Sequence, residues 1–156
     1  MPDYPDTITT EWLFDADIEL EPAEDIGAGP HGRRLVFIVR GGTFAGPRLR
    51  GGYRPGGGDW WLSLANGAGE LDVRATLATE DGALILMTYR GVLDARPEVV
   101  RRATSGEDVS ARDYYFRTTP RFETGDPRYA WLNTTVCVGT GWVGKDRVGY
   151  RVFAVR

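Results

Sequence analysis

The chain has 156 residues, of which 42% are apolar and 26% charged, a balance that fits one soluble domain able to bury its own core. A net charge of −3 and a pI near 5.2 argue against nucleic-acid or anionic-membrane partners, and the arginine pairs 33–34 and 101–102 read as solvated surface. No apolar run is long enough to span a bilayer, and one cysteine excludes an internal disulfide.

The first residues are acidic and without an apolar segment, so residues 1–7 read as a loose arm and the expected address is the cytoplasm. From Thr7 to Glu21, Phe14, Ile18 and Leu20 share parity against Asp15, Asp17 and Glu19, as in a half-buried strand. Gly27 to Gly32 reads as a turn-rich connection, and Arg34 to Arg40 as a buried strand ended by Gly41-Gly42. A glycine-rich region follows to Gly58, with a short strand at Arg48 to Tyr53. Asp59 to Ala65 is predicted as a strand. Leu71, Val73, Ala75 and Leu77 then alternate with Glu70, Asp72, Arg74 and Thr76. Asp81-Gly82 marks a tight hairpin whose partner strand is Ala83 to Leu93.

Residues 94–112 break the alternation, with a helix expected over Pro97 to Ala103 and a lid or insertion as its role. Tyr114 to Arg117, Arg121 to Thr124, Tyr129 to Gly139 and Arg147 to Val155 complete the expected strands, with a Gly125-Asp126-Pro127 turn making Arg121 to Asn133 a hairpin. Eight to ten short strands punctuated by 21 glycines and nine prolines predict one all-β domain over residues 1–156, an antiparallel barrel rather than a sandwich because closure removes exposed edges.

Several stretches, in order, resemble one family: Gly41-Gly42-Thr43-Phe44-Ala45-Gly46-Pro47, Gly57-Gly58-Asp59-Trp60, Leu71-Asp72-Val73-Arg74, Asp81-Gly82-Ala83, Phe122-Glu123-Thr124-Gly125 and Tyr129-Ala130-Trp131-Leu132-Asn133. Together they are similar to the small bacterial and fungal proteins that carry the domain of unknown function 3237. The resemblance covers residues 10 to 155 and implies a compact calycin-like barrel, with no common activity attached.

Candidate chemistry rests on acids beside large rings. Asp59 precedes Trp60-Trp61, and Glu123 follows Phe122; desolvation would bring either carboxyl toward the neutral range of a general acid or base. The competing roles are a turn cap for Asp59 and an ion pair with Arg121 for Glu123. Asp72 and Arg74 share a strand face, so Arg74 is a candidate oxyanion fork if that face lines a cavity, and a surface residue if it meets solvent. Tyr53, Trp60, Tyr89, Tyr115, Tyr129 and Trp131 are candidate cavity walls or core residues, and Asn133 a candidate carbonyl-orienting amide.

Other chemistries lack their residues. His31 is the only histidine and sits in a turn, Cys137 is expected to be buried and inert, and Lys145 is the only lysine. Neither a phosphate-binding loop nor a dinucleotide-binding unit is present. The sequence therefore points to cofactor-independent proton shuttling on a small apolar or aromatic carbonyl compound, with Asp59, Glu123 and Arg74 as catalytic candidates around one hollow. Two rivals stay open. One is a carrier or sensor of a small hydrophobic ligand, and the other a filled barrel serving oligomerisation. A homo-oligomer is compatible with the 12% aromatic content.

Overall fold

The structure is a computed structural model that describes all residues, 1–156. Eleven strands form one antiparallel sheet: β1 (Thr10–Leu20), β2 (Glu24–Gly29), β3 (Gly32–Ala45), β4 (Arg50–Tyr53), β5 (Gly58–Ser63), β6 (Gly69–Thr79), β7 (Leu84–Asp94), β8 (Tyr115–Thr118), β9 (Arg121–Glu123), β10 (Cys137–Gly144) and β11 (Arg147–Val155). Eight of them close a ring in the order β1-β3-β5-β6-β7-β8-β10-β11, with β11 returning to β1. The remaining three, β2, β4 and β9, pair along the ring without being needed to close it.

The expected single barrel is what forms, and strand alternation is its cause. Leu71, Val73, Ala75 and Leu77 of β6 are buried, as are Ile85, Met87 and Tyr89 of β7, so both strands of the hairpin turn their odd positions inward. Gly82, at φ +90°, supplies the left-handed turn residue between them. On β1 the same logic buries Phe14, Ala16 and Ile18, while outward Asp15, Asp17 and Glu19 meet Arg151, Arg147 and Arg40. These exposed pairs contribute little stability each, on the order of 0–1 kcal/mol. One continuous core fills the middle of the barrel, including the edge-on ring pairs Phe14–Phe122 and Phe44–Tyr53.

Three local expectations are corrected. The connection expected over Gly27 to Gly32 is in part strand: β2 runs Glu24–Gly29, and with β3 it forms a hairpin reaching beyond the end of β1. The helix expected over Pro97 to Ala103 forms but extends two residues further: α1 runs Pro97–Ser105, opened by proline at its first position and closed by Gly106 at φ +98°. Its buried Val99 and Ala103 lie beside Leu93, Tyr114 and Val143. The third correction concerns Arg121 to Asn133, which is no hairpin: after the short β9 the chain forms a 3₁₀ helix, Pro127–Thr134, and β10 begins only at Cys137. Asp126 caps that helix by accepting the Arg128 N–H at 2.9 Å, and proline follows where a free N–H would be wasted. Tyr129 and Leu132 from this helix are buried and seal the barrel end at which β6 turns into β7.

Candidate functional site

The opposite end of the barrel, hereafter the mouth, is where β6 begins at Gly69 opposite Leu93. Here β3 and β5 run side by side with Phe37 opposite Asp59 and Leu35 opposite Trp61. All four residues are half-buried. Trp61 shares parity with Asp59 and turns inward, its ring lying over Gly69 in the space a Cβ there would occupy. Phe37 meets Trp61 edge-on at 6.5 Å, so the two rings form one wall of this mouth.

Asp59 sits on that wall. The β5–β6 ladder lapses between the pairs Asp59–Val73 and Leu62–Glu70, leaving the Asp72 N–H without a strand partner. The Asp59 carboxylate fills the gap, its Oδ1 accepting that N–H at 3.0 Å. Its Oδ2 receives no hydrogen bond from the protein. Burial dominates its titration and pushes the carboxyl up to about 7. The Asp72 N–H pulls the other way, the nearby Asp72 charge adds to the rise, and Arg34 opposes it.

In the core beside Asp59, two buried tyrosines from different strands, β7 and β11, meet. The Tyr89 hydroxyl donates to the Tyr150 hydroxyl, and their rings stand edge-on at 5.3 Å. Both phenols are pushed well above their usual range, chiefly by burial, and the Asp59 charge acts on each in the same direction. Tyr150 spends its lone pair on Tyr89, and its own proton has no acceptor in the protein. The site therefore combines a carboxyl near neutrality, a free carboxylate oxygen, an unspent phenolic proton and two apolar rings.

The other expected site residues go elsewhere. Arg74 points outward on β6, pairs with Asp72 at 3.2 Å and lies over the outward ring of Trp60. Glu123 is exposed on β9. The shared hollow expected for Asp59, Arg74 and Glu123 is thus not formed, because the parity that turns Asp59 inward turns Arg74 out. Tyr53 is in the core, its hydroxyl 3.8 Å from the Met87 sulfur. Tyr129 donates to the Asp81 carboxylate at 3.0 Å at the sealed end. Trp131 is covered by the Arg48 guanidinium at 3.6 Å, Asn133 bridges the Thr124 backbone at 2.8 and 3.0 Å, and Tyr115 is exposed. Of the expected set, Asp59 and Tyr89 lie close enough for the Asp59 charge to act on the Tyr89 phenol. Tyr150, Phe37 and Trp61 were missed, although the parity of Trp61 with Asp59 was available to find it.

No three His, Cys, Asp or Glu side chains gather where a metal ion could be held. No helix is long and apolar enough to cross a membrane.

The fold defines a small closed antiparallel barrel, sealed at one end, with a half-buried acid beside two buried tyrosines. The chain belongs to the family described as "Protein of unknown function (DUF3237)", which it matches over residues 8–155. It is 32% identical over 142 residues to UPF0311 protein RPA1785 of Rhodopseudomonas palustris, covering 91% of this chain and 93% of that one. The crystal structure of RPA1785 superposes with a TM-score of 0.90 over 97% of this chain and all of the other. A β-barrel-like protein from Acinetobacter baumannii AYE, 34% identical, superposes at 0.85 over 98% of this chain and 99% of that one. An enzyme from Penicillium herquei shares the fold at 0.73 with 23% identity, over the full length of both chains.

Proposed function

We propose that the protein is a cofactor-independent enzyme that performs general acid/base chemistry on a small apolar or aromatic carbonyl compound held at the barrel mouth. The observation that carries this reading is Asp59: a carboxyl at about 7, tied to the sheet through one oxygen and free at the other. Phe37 and Trp61 supply an apolar wall for a planar substrate. In the basic form, Asp59 Oδ2 takes a proton from the carbon next to the carbonyl. The C–H bonding pair moves into a new C–C double bond, and the carbonyl π pair moves onto oxygen. Tyr150 donates its unspent hydrogen bond to that oxygen, with Tyr89 holding the phenol in place. Return of the proton from Asp59 to a different atom completes an isomerisation. The same pair of groups serves dehydration when the enolate expels a β-oxygen substituent, and hydration or ring closure in reverse. There Asp59 takes the proton of water or a substrate hydroxyl, whose oxygen adds to the β-carbon of an unsaturated carbonyl, and the enolate so formed takes that proton back from Asp59 at its α-carbon. That the fungal neighbour sharing this barrel is described as an enzyme is consistent with the reading.

The test does not require the physiological substrate. Small aryl ketones in D2O should exchange their α-hydrogens faster with the protein than in buffer, and Asp59→Asn should abolish the difference while leaving ligand-induced shifts intact. Exchange that is unchanged in Asp59→Asn would refute the assignment. Binding without exchange in the native chain would favour the rival reading of a carrier.

A further inference from the structure

The outer wall of the barrel holds a feature that the mouth chemistry does not use. A groove of about 790 Å³ runs over β6, β7, β8 and β10, and it exposes Val92, Tyr115 and Val138 beside half-buried Phe153. Their exposures, 40%, 53% and 37% for the first three, are high for apolar side chains gathered on one face.

The charges across this face follow the register. Glu70 lies opposite Val92, Val92 opposite Arg117, and Arg117 opposite Thr140, so one outward row reads Glu70–Val92–Arg117–Thr140. Most charged neighbours on this wall are neutralised within the chain: Asp15 with Arg151 at 2.6 Å, and Asp72 with Arg90 at 3.2 Å. Glu70 has no basic partner. Arg117 has no carboxylate; its guanidinium donates to the Phe116 carbonyl at 2.9 Å and rests over the Tyr115 ring at 4.8 Å. One unpaired acid and one unpaired base thus flank an exposed valine, each one strand away from it.

We propose that this face is a two-fold interface with a second copy of the chain, its axis passing close to Val92. Strands about 4.8 Å apart place Glu70 and Arg117 about 10 Å from each other with Val92 midway. A two-fold rotation about that midpoint sets Glu70 of each copy against Arg117 of the other, forming two ion pairs around a shared apolar centre. An isologous contact needs this self-complementarity, whereas an unrelated partner would need neither the equal spacing nor the opposite signs. Tyr115, Val138 and Phe153 extend the apolar centre on either side of the row, and Arg and Tyr are residue types enriched at such centres.

Sedimentation velocity and light scattering over a concentration series test the interface. The native chain should dimerise. Glu70→Arg and Arg117→Glu should each weaken the dimer at least about tenfold, because each places like charges in contact. The double variant Glu70→Arg/Arg117→Glu should regain most of the loss, since both pairs re-form with reversed polarity. Val92→Arg should give a monomer. All of these side chains lie on the surface, and unchanged circular dichroism and melting would separate lost association from lost folding. A native chain that stays monomeric overturns the proposal and leaves the groove to a partner of different chemistry. A dimer indifferent to the single changes, or a double variant no better than its parents, overturns it as well.

Discussion

Replacing Asp59 by asparagine should make the protein more stable, and the gain should depend on pH. In the folded chain the carboxyl titrates at about 7 against an ordinary 3.8. The folded state therefore holds this proton more tightly than the unfolded state does. Below about pH 4 both states are protonated and the shift costs nothing. As pH rises from about 4 to about 7 the unfolded chain ionises freely while the folded one resists, so stability falls; above about 7 the loss is complete. At 1.36 kcal/mol per pH unit the full loss is about 4 kcal/mol, a large share of the roughly 5–15 kcal/mol that holds a domain together. Asparagine keeps an oxygen for the Asp72 N–H and carries no charge at any pH. Urea unfolding of both chains from pH 4 to pH 9 should show near-equal stability at pH 4 and a widening gap up to about pH 7. The gap should then stay constant, with the variant melting roughly 10 °C higher at pH 8. A gap that does not change with pH would mean that Asp59 titrates as an ordinary surface acid, and the proposed chemistry would lose its base. A variant at once steadier and inactive is the expected pattern for a group kept for function at the expense of stability.

Tyr150→Phe should destabilise the fold by about 1–2 kcal/mol, because it strands the buried Tyr89 hydroxyl, whereas Tyr89→Phe/Tyr150→Phe should cost less than the two single changes summed. Denaturant titration of the four chains checks this, and strict additivity would break the pairing. Thr118 hides its hydroxyl at 2% exposure with no hydrogen-bond partner, so Thr118→Val should be neutral or stabilising by about 1 kcal/mol in the same assay. A loss of more than that would reveal a partner for the hydroxyl. The Cys137 thiol, buried and pushed up to about 11 chiefly by desolvation, should resist a disulfide reagent at pH 8 until the chain is unfolded. Prompt labelling of the native protein would place it nearer to solvent.

Much of the barrel was legible because local pattern and long-range pairing agree. The alternation through Leu71, Val73, Ala75 and Leu77 and the Asp81-Gly82 turn needed no partner strand to be read. The candidate site was legible at Asp59, an acid placed between glycines and tryptophans, and at Tyr89, one aromatic candidate among several. Which tryptophan lines the mouth depends on the face β5 turns inward, and only pairing with β3 and β6 settles that. Tyr150 was invisible because its partner lies 61 residues away on another wall. The stretch from Arg121 to Asn133 misled through its aromatic content. Tyr129 and Trp131 favour strands, yet Asp126-Pro127 is a helix-opening pair, and capping outweighed β propensity there.

The 3₁₀ helix with Tyr129 and Leu132 has a consequence for traffic. Because that helix stoppers one end and the core fills the middle, no channel runs through the barrel from end to end. Under the chemistry proposed at Asp59, a substrate would therefore arrive and depart on one side, past Phe37 and Trp61. On that proposal occupancy would be exclusive: a spent molecule would have to vacate before a fresh one could settle, and a product resembling its precursor would compete with it directly.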